Sequence, residues 1–111
     1  MVLLMVLNQY QNKSFLFDIR GGEKKMPEIS RFLGIIIAMY HKEHPPPHFH
    51  AKYGNQTAVF SIQDLRIIEG TLPKRVISLV LEWAFEHREE LMKNWELAAA
   101  KKPLYKIEPL V

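Results

Sequence analysis

The chain of 111 residues contains no cysteine. A disulfide scaffold, a thiolate zinc site and a cysteine nucleophile are therefore excluded. Long hydrophobic runs are missing too. The longest apolar stretches, Met1 to Leu7 and Leu33 to Tyr40, fall far short of the roughly 20 residues that span a bilayer. Met1 to Leu7 also lacks a basic leader and a small-residue cleavage site, so no signal peptide is expected and the cytoplasm is the expected location. A large excess of one charge is absent as well. The net charge is +3, and residues 1–25 hold much of it: Lys13, Arg20, Lys24 and Lys25 stand against only Asp18 and Glu23. The remainder is nearly neutral, so any affinity for nucleic acid must come from a local patch. What the chain does have is 48% apolar residues, enough for the core of one domain.

Residues 1–25 are set apart by their coding potential. Gly21-Gly22-Glu23-Lys24-Lys25 is encoded by a nearly pure purine tract that can contain GGAGG, the composition of a ribosome-binding site, and Met26 follows it. Translation is expected to start naturally at Met26. Residues 1–25 are then a peripheral or non-native extension, and 26–111 form the single domain. The exception to watch is Phe15 to Ile19, which has the pattern of an added edge strand.

Within 26–111, the isoleucine-rich run Gly34 to Tyr40 predicts a buried strand. His44-Pro45-Pro46-Pro47 excludes regular helix or an inner strand, because proline lacks the amide donor. Phe49 to Tyr53, Thr57 to Ile62 and Leu65 to Glu69 have strand character. From Pro73 to about Ala100 there is neither Gly nor Pro, and Ile77, Val80, Leu81, Ala84, Leu91, Trp95 and Ala98 recur at helical spacing. This predicts one long helix, or two with a bend near His87-Arg88. The fold class is therefore α+β: a small, mainly antiparallel sheet with helix packed on one face. A helix this long on so small a sheet leaves apolar surface over, which favours a partner protein or a homodimer.

Gly54-Asn55 suits a two-residue hairpin turn, and such a turn fixes the register. Tyr53 then pairs with Gln56, Lys52 with Thr57, Ala51 with Ala58, His50 with Val59, Phe49 with Phe60 and His48 with Ser61. One face carries Phe49, Ala51, Tyr53, Ala58 and Phe60, and should meet the helix. The other carries His48, His50 and Lys52, and should be open or line a cleft.

Four of the five histidines, His41, His44, His48 and His50, fall within ten residues. His48 and His50 project to one side of a strand. Imidazoles so placed can serve as general acid or base, bind phosphate together with Lys52, or ligate a metal. The plainer alternative is that they hydrogen-bond the proline loop and hold it shut. The nearest acid, Glu43, precedes the stiff loop, and no Asp or Glu alternates with the histidines. No tightly bound metal and no cofactor are therefore expected. At least one imidazole is expected to titrate near neutrality. His87, out on the helix, is not expected to matter.

Four stretches carry a family resemblance. They are Met26-Pro27-Glu28-Ile29-Ser30-Arg31-Phe32-Leu33-Gly34-Ile35, His44-Pro45-Pro46-Pro47-His48-Phe49-His50-Ala51-Lys52-Tyr53-Gly54, Glu69-Gly70-Thr71-Leu72-Pro73, and Leu81-Glu82-Trp83-Ala84 with His87-Arg88-Glu89-Glu90-Leu91 and Asn94-Trp95-Glu96-Leu97. Together they resemble the bacterial domain-of-unknown-function family 4160 over residues 26 to about 110. The family usually has two prolines where this chain has three, and often a polar residue at the position of Ala38. Members are often encoded beside a small partner protein, and some are labelled toxins of toxin–antitoxin pairs. The resemblance thus implies a cytoplasmic toxin-like protein with a cognate antitoxin or neighbouring-gene partner. On that reading the substrate is RNA and the chemistry is metal-independent. His48 and His50 are the catalytic candidates, and Arg31, Lys52 and Tyr53 the substrate-binding ones. The alternative is a non-catalytic partner-binding module with a structural histidine loop. Imidazoles that are open and converge with Arg31 or Lys52 favour the first. Imidazoles that are buried and bonded to backbone carbonyls favour the second.

Overall fold

The structure, a computed structural model, describes residues 27–41 and 43–111. The expectations for residues 1–25, including the edge strand at Phe15 to Ile19, lie outside the described residues. Five strands form one antiparallel sheet in which each neighbour in space is a neighbour in sequence. They are β1 (Glu28–Phe32), β2 (Ile35–Ala38), β3 (His48–Tyr53), β4 (Gln56–Ser61) and β5 (Ile67–Gly70). Two helices follow, α1 (Lys74–Glu86) and α2 (Arg88–Ala99). The fold is α+β, as the hydrophobic periodicity predicts. No helix among the described residues is long and apolar enough to cross a membrane.

The β3–β4 hairpin has the predicted register at all six pairs, from His48 opposite Ser61 to Tyr53 opposite Gln56. Gly54 takes φ 63°, the left-handed value that glycine adopts without steric cost. Phe49 and Phe60 stack across the strands with ring centroids 5.3 Å apart. With Phe32, Ile35, Ile37, Ala51 and Ala58 they make the buried face of the sheet. Against it lie Val76, Val80, Trp83 and Ala84 of α1 and Leu91 of α2, in one hydrophobic cluster.

Two elements differ from the expectation. β1 is an additional strand, joined to β2 through Leu33 (φ 51°) and Gly34 (φ 79°). Positive φ at both central residues is the I′ turn geometry, which fits the twist of a hairpin. Leucine at the first of them is an unusual occupant and gives no turn signal in the sequence. The last strand begins at Ile67 rather than Leu65. The Leu65 amide donates to the Ser61 carbonyl at 2.9 Å, so residues 61–65 form a turn. The helical stretch is two helices, as the second of the two expected forms has it, broken at His87, whose backbone has φ −120° and ψ 26°. There the Arg88 guanidinium donates to the carbonyls of Ile62 and Gln63, tying the break to the β4–β5 turn.

The C-terminal tail closes the fold. The Ile107 amide donates to the Ile29 carbonyl at 2.8 Å, along β1. The Trp83 indole N–H donates to the Glu108 carbonyl at 2.8 Å. Buried Asn94 pairs with the Tyr105 backbone in both directions, each bond 2.9 Å. An amide side chain used this way imitates a strand partner for the tail.

Among the described glycines, Gly70 has the least room for a side chain. It has φ 81°, and a Cβ there would lie 2.3 Å from the Thr57 carbonyl oxygen. Gly70→Ala is expected to destabilise the fold by more than about 1 kcal/mol, combining left-handed strain with a clash against immobile backbone. Gly54→Ala, with nothing within 4 Å, should suffer the strain alone. Urea midpoints of the two variants compare them directly.

Candidate functional site

The antiparallel registers lay the second face of the sheet out in rows. One row runs Arg31, Ile36, Lys52, Thr57, and the next runs Glu28, Ala38, His50, Val59, Glu69. This face carries the predicted polar set. A cleft of about 350 Å³ opens on it, lined by Ile36, Ala38, Tyr40, Glu43, His50 and Lys52.

Glu43 stands at the centre. Its Oε1 lies 2.8 Å from Nε2 of His48 and 2.8 Å from Nε2 of His50. This corrects the expectation that no carboxylate can reach the imidazoles. The proline loop turns the chain back on itself, so an acid five residues before His48 comes to rest against β3. The expectation of no metal loses its premise with it, because three potential ligands now converge.

The two histidines differ in what they can do. Nδ1 of His48 lies 2.7 Å from the Pro46 carbonyl oxygen. A carbonyl oxygen only accepts, so Nδ1 carries a hydrogen and donates. Nε2 of the same ring faces the Glu43 carboxyl, so the 2.8 Å contact needs a hydrogen shared between them. The His48 ring also packs on Trp95 of α2, centroids 5.0 Å apart, and its side chain is only 12% exposed. His50 is more open, at 25%, and lines the cleft. Tyr40 meets its ring edge-on at 4.7 Å. With Nε2 of His50 donating to Glu43, Nδ1 is left with the lone pair. The sequence criterion therefore divides the pair. His48 is bonded to a backbone carbonyl, whereas His50 is open and converges with Lys52.

Electrostatics fit this arrangement. Burial pushes the Glu43 carboxyl up, but hydrogen bonds from His48 and His50, with the charge these rings carry when protonated, outweigh it and hold it below its ordinary value. Burial, followed by the Glu43 charge, pushes the Tyr40 hydroxyl up and keeps its proton in place.

The predicted substrate-binding residues separate. Lys52 is exposed and lines the cleft beside His50. Arg31 is on the same face but is held by Glu28 in a two-point ion pair, Nη2 to Oε1 at 2.7 Å and Nε to Oε2 at 3.0 Å, outside the cleft lining. Tyr53 is on the opposite face, paired with Ile35 and Gln56 and packed against the core, so it does not join the histidines. Its place follows from the alternation: Tyr53 shares parity with Phe49 and Ala51. His41 turns to the Lys102 carbonyl, 3.2 Å away, and His87 bonds Glu90 and packs on Trp83.

Glu43, Tyr40 and Trp95 belong to the site without having been marked in the sequence. Only Trp95 carries a signal, as part of the Asn94-Trp95-Glu96-Leu97 segment. That segment and the Pro-His-Phe-His segment meet in space at the His48–Trp95 contact. No curated protein and no solved structure matches the chain. The family description Domain of unknown function (DUF4160) matches residues 34–96, which run from the turn before β2 through the His48 loop to the Trp95 turn of α2. The matched stretch is more than half of the chain and contains every residue of the cluster, and the chain belongs to the DUF4160 family.

Proposed function

We propose that the protein is a toxin-type factor that cleaves RNA by acid/base chemistry on the open face of the sheet. The observation that carries the reading is the Glu43–His50 couple at the edge of a cleft that also holds Lys52. Glu43 fixes the ring through Nε2, and Nδ1 receives the proton of a ribose 2′-hydroxyl. The 2′ oxygen attacks the adjacent phosphorus, the bond from phosphorus to the 5′ oxygen breaks, and that oxygen takes a proton from water. The Lys52 ammonium offsets the charge that builds on the phosphate. His48 acts through Glu43 as a positioning residue, locked by Pro46 and Trp95.

A second reading has its own support. The His48 bond to Pro46 is what a purely structural loop requires. Phe85 projects from α1 at 69% exposure, as a partner-binding helix or a homodimer contact would present it. Expression of the full chain in cells, with and without the neighbouring-gene protein, separates the two. The RNA reading expects growth arrest and RNA fragmentation relieved by that partner, acting as antitoxin. Lys52→Ala should weaken the arrest and His50→Ala should abolish it. Arrest of full strength in His50→Ala, or no arrest by the unaltered chain, contradicts the reading.

A further inference from the structure

We propose that Glu43, His48 and His50 also bind one divalent transition-metal ion, zinc in preference to harder cations. This goes beyond the RNA reading and does not depend on it. Two imidazole nitrogens and one carboxylate oxygen lie within 4.8 Å of one another. Two imidazoles and a carboxylate are a donor set suited to zinc, whereas magnesium prefers an all-oxygen shell.

The surroundings are those of prepared ligands. A metal-bound imidazole usually donates its outer N–H to a carbonyl or carboxylate, which turns the other nitrogen inward. His48 does this with Pro46 at 2.7 Å. Trp95 and Tyr40 pack against the two rings and limit their rotation. Oε1 of Glu43 and Nε2 of His48 face each other at 2.8 Å, a contact that needs a hydrogen or a cation shared between them. A metal ion meets that need as well as a proton does.

Size fits with a small adjustment. Zinc bonds of about 2.0–2.2 Å in a tetrahedron set neighbouring ligand atoms about 3.3 Å apart. The carboxylate must therefore retreat by about half an ångström, which a glutamate side chain on a partly exposed loop can do. The three residues supply three ligands, and the cleft leaves room for water as the fourth. The ion takes the electron pairs of both Nε2 atoms: the His48 Nε2 proton passes to solvent, and the His50 proton moves to Nδ1, so that ring stays neutral and loses its basic nitrogen. Under the RNA reading, the zinc-loaded protein is then the inactive form.

Calorimetric titration of the metal-free full chain tests the site without reference to activity. Zinc chloride should bind with a stoichiometry of one, and magnesium chloride should give no saturable heat. Glu43→Gln and His50→Ala should each weaken zinc binding at least tenfold, while His87→Ala, outside the cluster, should leave it unchanged. Should His50→Ala lose its fold by circular dichroism, Glu43→Gln on the surface loop carries the test alone. No saturable zinc binding by the unaltered chain, or equal affinity in Glu43→Gln, overturns the proposal. A chain that binds zinc through these residues but leaves RNA intact supports the site and contradicts only the RNA reading.

Discussion

On the RNA proposal, replacing His50 with alanine is expected to lower cleavage by about 10²–10⁴-fold, the usual worth of a positioned acid/base group. The fold should survive. His50 lies on the open face, whereas its strand neighbours Phe49 and Ala51 are the residues fully buried in the core. Its loss leaves no cavity, and Glu43 keeps His48 as a partner. Cleavage of a defined RNA by purified protein, with circular dichroism as the fold control, measures both halves. A residual rate within a few-fold of the unaltered chain would remove His50 from the chemistry. A collapsed circular dichroism spectrum would favour the structural-loop alternative.

The largest stability effect is expected at Trp83. The side chain is fully buried and packs on Phe32 and Phe49, with ring centroids 5.6 Å and 6.0 Å away. Its indole N–H also holds the tail through Glu108. Trp83→Ala should cost about 3–5 kcal/mol, the range for truncating a buried aromatic. A domain of this size has about 5–15 kcal/mol in total, so the variant should sit near the edge of folding at 37 °C. Trp83→Phe refills most of the volume but leaves the Glu108 carbonyl without its donor, and should lose less. Urea midpoints rank the three proteins, and an alanine variant within 1 kcal/mol of the unaltered chain would place the core elsewhere.

Much of this architecture is local, and local patterns are legible. Alternation of Phe49, Ala51 and Tyr53 with His48, His50 and Lys52, anchored by Gly54, is enough to define the β3–β4 register and both of its faces. The helical periodicity of Val80, Ala84 and Leu91 marks the stretch that packs on the sheet. The same alternation also excludes Tyr53 from the histidine face, so its assignment to substrate binding ran against the pattern. What escapes sequence reading is long-range or conformationally unusual. Leu33 takes a left-handed turn position that asparagine or glycine usually fills, so β1 goes unmarked. Glu43 reaches β3 only because the proline loop reverses the chain, and spacing along the sequence holds no trace of that return. The His48–Trp95 contact joins elements separated by the whole β4–β5–α1 stretch. Each motif is visible alone, but their meeting is a property of packing.

In the proposed site Glu43 is the carboxylate that joins His48 to His50. Its most direct test is RNA cleavage by Glu43→Gln, a change that keeps size and shape and removes the charge. Cleavage should fall nearly as far as in His50→Ala, because the ring loses the group that fixes its tautomer and orientation. The protein should remain folded, as Glu43 lies in a partly exposed loop outside the core. A folded Glu43→Gln protein that cleaves RNA at the rate of the unaltered chain would contradict the account.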